Sequence, residues 1–248
     1  MDTSREPGIY TPLNQLKPVA DSVWVVDGPM IRFGPPGMKM PFPTRMTLVR
    51  SADGGLFVHS PTALTEPLRR QVLALGEPRW LIGPNRIHYW WLPRWQAAFP
   101  AARTFVAPGV RERAGERIDF PVEILDRGGP WPWDDLLRTL PVTSRYMTEV
   151  VFFHPHSRTL ILTDLVENFE ASRLAPAHRW LARLGGVLDP DGQMPWDMRL
   201  TFLGRRSALR DAVRTLLGWE PERVILAHGR WYREKGEEEL RRAFRWLL

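Results

Sequence analysis

The chain is 248 residues long, 44% hydrophobic and 25% charged, the balance of a chain that buries a large core rather than of a disordered or membrane-spanning one. It has no cysteine, which excludes disulfides, thiolate nucleophiles and thiolate metal sites together, so any metal must be held by His, Asp, Glu or carbonyl oxygen. The formal charge of +6 and the pI of about 10.2 raise nucleic acid as a partner. The arginines, however, are spread among acids, as in RERAGERID and EEELRRAFR, the pattern of a solvated surface and not of a phosphate-binding stripe.

Residues 1–20 read as an N-terminal arm of Pro, Gly and polar side chains, without the basic-then-apolar order of a secretory signal. Apolar runs elsewhere are only strand length, so a cytoplasmic protein without a transmembrane segment is expected. VWVVDG then opens a strand. FGPPGMKMPFP, residues 33–43, holds too much Pro and Gly for regular structure, and its Met38, Met40 and Phe42 offer the adaptable apolar surface of a lid over a pocket. MTLVRSADGGLFVHS predicts a hairpin about its Asp-Gly turn. TEPLRRQVLALG predicts a helix capped by Thr65 and closed by Gly76.

RWLIG, a helix to about Gln96, and ARTFVAP alternate as β-α-β, which implies parallel pairing with helices over the sheet. FPVEIL, TLPVT, EVVFFH and RTLILT are close-set strands. Helical patterns return in SRLAPAHRWLARLGG and in SALRDAVRTLLGW, where Leu209, Ala212, Val213, Leu216 and Leu217 share a face. RVILAHG is a short strand. GEEELRRAFRWLL closes the chain as a helix with acids first and arginines later, as the helix dipole prefers. No internal repeat is visible, so residues 21–248 are expected to form one domain.

His88, Asp164 and His228 each follow an apolar β run, where loops on rigid strands place chemistry. Two imidazoles and one carboxylate are a ligand set for zinc or non-haem iron that leaves positions open for water. Polar strand ends in a site without metal are the other reading these residues allow. His59 ends the run LFVH. His154 and His156 form the most conspicuous His-x-His, but in a Pro- and Ser-containing turn between strands, which offers no third ligand. His178 lies in a helix with no partner motif. Asn85 can cap a following helix or donate and accept beside a substrate. Arg86 and Arg145 can hold an anionic substrate by bidentate contacts or form surface ion pairs. Of the twelve tryptophans, Trp90, Trp91 and Trp95 have helical spacing and read as core. Trp131, Trp133 and Trp196, in Pro- and Gly-rich loops, and Trp231, just past His228, suggest an apolar pocket mixed with structural packing.

The element order and three of these landmarks resemble the metallo-β-lactamase fold superfamily over about residues 20–248. The resemblance implies a four-layer αββα sandwich with its metal site at one end of two sheets. In the superfamily a strand ends in a His-x-His-x-Asp-His loop, followed by a helix and then a Pro. Placing that Pro on Pro100 puts the last His on His88 and the other three ligand positions on Gly83, Asn85 and Ile87. RTLILTDL resembles the strand ending in the metal-bridging Asp, making Asp164 its counterpart, and ILAHG the late strand ending in His, making His228 its counterpart. The middle His falls near Arg145, and His59 stands where relatives carry an Asp near the metals.

The resemblance thus implies a divergent branch with a degenerate motif and a reduced, mononuclear site for one zinc, iron or manganese ion. His88, Asp164 and His228 would be its ligands, with His59 as a replacement ligand or a hydrogen-bonding support. His88 and Asp164 would act on a metal-bound water in hydrolysis of a small-molecule substrate, held near Asn85, Arg86, Arg145 and Trp231. The alternative is a metal-free, non-catalytic member that binds a ligand or partner in the same cleft. Loss of the paired-metal motif argues against phosphodiester cleavage by two metals.

Overall fold

The computed structural model describes residues 8–33, 39–127 and 129–248; the first seven residues of the expected arm, and Met38 with its neighbours 34–37, lie outside them. Apolar runs of the first half pair into one sheet in chain order: β1 (Lys17–Ala20), β2 (Val23–Phe33), β3 (Met40–Arg50), β4 (Gly55–His59), β5 (Glu77–Gly83), β6 (Arg103–Val106) and β7 (Val122–Ile124). The strands β1 to β4 are antiparallel neighbours. The β3–β4 turn is the one expected, with Gly54 at φ 85°, a left-handed conformation in which a side chain would be strained. From β4 to β7 pairing is parallel, which requires crossovers. These are α1 (Glu66–Leu75), α2 (Leu92–Ala98) and α3 (Val110–Ala114). Thr65 caps α1 by accepting from the Leu68 N–H, and Gly76 ends it.

The second sheet has the order β11-β10-β9-β8, formed by β8 (Arg138–Thr143), β9 (Thr148–His154), β10 (Thr159–Ile161) and β11 (Arg223–Ile225). β8, β9 and β10 are antiparallel, whereas β11 lies parallel to β10. The connection between those two carries α4 (Pro176–Gly185), α5 (Trp196–Thr201) and α6 (Arg206–Gly218), and α7 (Gly236–Ala243) follows β11. α6 buries Leu209, Val213, Leu216 and Leu217, the face that its spacing predicts.

The sheets meet face to face: Phe57 of β4 packs edge-on against Phe152 of β9 with ring centroids 5.0 Å apart. With helices outside, this is the αββα sandwich. Trp133 fills the interface, fully buried, 5.1 Å from Phe57 and 4.6 Å from Phe105. Its indole N–H donates to Thr139 Oγ1 at 3.0 Å, the partner a buried indole needs. Trp131 stacks on it at 5.8 Å. These two loop tryptophans are therefore core, contrary to the pocket role their Pro- and Gly-rich setting suggests, because the 129–137 loop folds inward between the sheets.

Two further elements differ from expectation. Residues 40–43 are not loop but the start of β3, pairing with β2. β4 pairs β3 only over Thr47–Arg50, so the missing N–H groups of Pro41 and Pro43 cost no ladder bond on the open side. The helix after β5 begins only at Leu92, because the Asn85 carboxamide oxygen accepts the backbone N–H groups of Ile87 and His88 at 2.9 and 3.0 Å and turns the chain first. Trp95 is fully buried with its N–H on the Thr62 carbonyl, while Trp90 is 44% exposed.

Candidate metal centre

β10 and β11 are parallel neighbours, and the turns beyond their ends and beyond β5 bring three side chains together. His88 Nε2 stands 3.2 Å from His228 Nε2. Asp164 spans the pair, with Oδ2 3.3 Å from His88 Nε2 and Oδ1 3.3 Å from His228 Nε2. Among the described residues this is the group of three or more ligand-type side chains whose donor atoms converge, all within 4.8 Å. Two tetrahedral ligand atoms at 2.0–2.2 Å from one zinc lie roughly 3.3–3.6 Å apart. The two imidazoles lie close to that spacing from each other and each from one Asp164 oxygen, so the donor set fits one ion with the carboxylate bridging the pair of imidazoles.

Each ligand is oriented from behind, the arrangement that fixes tautomer and aim at metal sites. His228 Nδ1 donates to the Pro43 carbonyl at 2.7 Å, which leaves the Nε2 lone pair facing the cluster. His88 Nδ1 lies 2.8 Å from Ser60 Oγ. Asn85 donates through Nδ2 to Asp164 Oδ2 at 2.5 Å and to Thr163 Oγ1 at 2.9 Å. With its oxygen engaged as well, the fully buried Asn85 has its polar atoms turned inward, behind Asp164. Burial alone would raise the Asp164 carboxyl, but His88 and His228 beside it hold it well below the ordinary carboxylate range.

Sequence reasoning missed the supports beneath this site. Glu149, buried at the start of β9, accepts the backbone N–H groups of Thr163, Asp164 and Leu165 at 2.7, 2.8 and 3.0 Å. It clamps the turn that presents Asp164. Burial and the Asp164 charge push it up to about 7, against the donors of Thr163 and Asp164. Glu167, also buried, is pushed up to about 8, chiefly by burial. Arg45 is buried, pairs with Asp27, and donates to the carbonyls of Leu226 and Gly229 on either side of His228 at 2.5 and 2.9 Å. The one sequence signal was an acid heading the wholly buried strand TEVVFFH.

The remaining candidates are not among the three converging residues. His59, at the end of β4, is buried against Phe152 with Nε2 unpartnered, and it is not one of the three converging residues. Burial first, then the neighbouring His88, drives its imidazole down to about 3. Arg86 reaches the 144–147 turn, donating to the Tyr146 carbonyl at 2.9 Å with its guanidinium over that ring. The exposed Arg145 lies over Gly204. Trp231 is buried in the main core, with Arg233 over its ring. His154 closes β9 and bonds Ser157 Oγ at 2.7 Å, roughly 17 Å along the strand from Glu149. His178 lines a cavity described below.

The positions of the missing ligands are occupied by packing. A Cβ on Gly83 would lie 2.9 Å from Leu92 Cδ1 and 3.2 Å from Val106 Cγ1, which leaves no room for an imidazole. Ile87 joins Ile31, Thr44, Trp90 and Trp91 in a narrow apolar cleft that reaches His88 and Ser60. The centre is nearly closed from solvent, with the side chains of His88, Asp164 and His228 8%, 6% and 4% exposed. A cavity of about 250 Å3 is lined by Tyr10, Met30, Arg32, Pro43, Phe169 and His178 among others. Pro43, whose carbonyl holds His228, joins that cavity to the centre, and the Phe42 ring packs edge-on against His228 at 5.2 Å.

Comparison with solved structures gives the same architecture. The metallo-β-lactamase DIM-1 superposes with a TM-score of 0.60 at 14% identity, covering 92% of this chain and 95% of its own. FIM-1 from Pseudomonas aeruginosa, in its mono-zinc form, gives 0.54 at 13% identity over 91% and 92%. The Flv1 flavodiiron core from Synechocystis sp. PCC6803 gives 0.62 at 14% identity, covering 94% of this chain but 60% of that one. No curated protein matches in sequence. Among the described residues no helix is long and apolar enough to cross a membrane. The family profile described as a domain of unknown function (DUF4336) matches residues 21–177, more than half of the sequence, and the chain belongs to that family, on the metallo-β-lactamase fold.

Proposed function

We propose that this protein is a metal-dependent hydrolase with one ion held by His88, Asp164 and His228. The observation that carries the reading is the convergence of three donor side chains, the two imidazole Nε2 atoms 3.2 Å apart and each 3.3 Å from one oxygen of Asp164, with every member held from behind. A bound ion supplies Lewis acidity and acidifies its water toward neutrality. The chain's own residues supply the rest. Pro43 and Ser60 aim the two imidazoles, while Asn85 and Glu149 hold Asp164. Glu167, with its raised carboxyl, can keep a proton near neutral pH beside the centre. The site is read as mononuclear because Gly83, Asn85 and Ile87 offer nothing to a second ion. FIM-1 in its mono-zinc form is a precedent of the fold for one zinc, and the flavodiiron core directs attention to iron; manganese has the same donor chemistry available.

A small molecule with an apolar body suits the cleft of Ile87, Trp90 and Trp91 beside His88. Arg86 and Arg145 remain proposed contacts for an anionic end of the substrate, as does Trp231 for its apolar part, whereas Asn85 is assigned to positioning. The second reading, a ligand-binding member without catalysis, is favoured by the packing that fills the lost ligand positions. Zinc-loaded protein and its His228→Ala variant, assayed on p-nitrophenyl esters, thioesters and lactams, separate the two. Hydrolysis that is lost in the variant and on chelation supports the enzyme. Equal rates for both proteins across the panel support the binding module.

A further inference from the structure

The excursion between β10 and β11 carries a surface that the metal centre does not use. Five of the nine large apolar side chains exposed among the described residues lie within it: Trp180, Leu184, Trp196, Leu200 and Leu203, each 45–62% exposed. Trp180 and Leu184 are four residues apart on α4, and Trp196 and Leu200 are four apart on α5, so each pair shares one helix face. The segment joining the two helices folds back on the end of α4. A Cβ on Gly186 would lie 2.9 Å from Gln193 Nε2, which places Leu184 and Trp196 each within three residues of that contact. Both faces are short, and each carries a tryptophan next to leucine.

The charge around this surface is mainly positive. Arg179, Arg183, Arg205 and Arg206 are exposed, and none has a carboxylate within ion-pair reach among the described residues. Of the acids in the same stretch, Asp189 and Asp191 are already engaged by Arg230 and Arg245, leaving Asp197. Leucine for insertion, tryptophan for the headgroup boundary and arginine for anionic phosphates are the three components of a helix face that lies in a bilayer interface. We infer that α4, α5 and the turn through Arg206 form a peripheral docking surface for an anionic lipid bilayer.

The test uses the full chain and vesicles of phosphatidylcholine alone or equimolar with phosphatidylglycerol, scored by flotation and by tryptophan emission. The protein is expected to float with the anionic vesicles with a blue-shifted emission, to remain behind with phosphatidylcholine alone, and to be released by salt. Trp180→Ser combined with Trp196→Ser should weaken binding about tenfold or more, and Arg179→Glu combined with Arg183→Glu should abolish it. Circular dichroism and metal content should stay those of the wild type in both variants. Absence of vesicle binding, or equal binding by wild type and both variants, overturns the assignment. So does concentration-dependent self-association that the tryptophan variant loses, because a second copy of the chain would then cover the face.

Discussion

His88 Nε2 and His228 Nε2 approach to 3.2 Å across 140 residues of sequence. At that distance the two atoms cannot both carry a proton toward each other. The Pro43 carbonyl commits the His228 proton to Nδ1, so the gap is bridged either by a His88 proton or by a cation. Zinc coordination through both Nε2 atoms therefore requires the His88 proton to sit on Nδ1, toward Ser60 Oγ. Nitrogen-15 chemical shifts of the His88 ring are expected to report the Nδ1–H tautomer in the zinc-loaded protein. A proton still on His88 Nε2 with zinc bound would show that this atom is not a ligand.

Asn85 is expected to act on the metal through Asp164. Asn85→Ala removes the donor to Asp164 and the acceptor that shapes the 85–88 turn, and zinc affinity should fall about 10- to 100-fold. Competition with a chromophoric chelator measures it. Unchanged affinity would show that Glu149 alone suffices to hold Asp164.

Glu149→Ala strands three backbone N–H groups in a buried turn, so the metal-free protein should lose about 3–5 kcal/mol in chemical denaturation. Glu149→Gln keeps one acceptor oxygen and should lose less, about 1–3 kcal/mol. A loss within about 0.5 kcal/mol, the range of neutral surface changes, would remove the clamp from the account.

The buried titratable groups predict pH effects of opposite sign. His59 is held at about 3 in the fold against 6.5 unfolded, mainly by burial, and His154 at about 4, also mainly by burial. Their unfolded forms take up protons first, so their contribution to stability is present above pH 6.5 and is lost as pH falls toward 3. Glu167 is raised to about 8 from 4.5, so its contribution is present below pH 4.5 and is lost as pH rises through 8. In chelator-treated protein, Glu167→Gln should gain stability relative to wild type as pH rises from 4.5 to 8. A difference that stays flat over that window would place the Glu167 carboxyl in an ordinary environment.

The strand-end positions of His88, Asp164 and His228 were legible in the sequence because apolar β runs mark their own ends, and β-α-β alternation fixed the parallel half of the first sheet. The supports were not legible. Glu149 acts on backbone N–H groups 14 to 16 residues away, and Arg45 on carbonyls 181 and 184 residues away. Neither link has a local pattern, since any N–H or carbonyl can serve. Trp133 misled for a related reason: Pro and Gly beside it report backbone irregularity, not the side of the sheet toward which the loop folds. Asn85 was read as a helix cap, and it does accept backbone N–H groups, but in a turn that ends before α2 begins.

The most direct test of the account is the metal content of the purified full-length protein after expression with zinc, iron and manganese supplied, set against three variants. About one ion per chain is expected, set by the single cluster of donors, lost in His228→Ala and in Asp164→Ala and retained when His154 and His156 are both replaced by Ala. Metal retained by His228→Ala, or lost with His154 and His156, would contradict it.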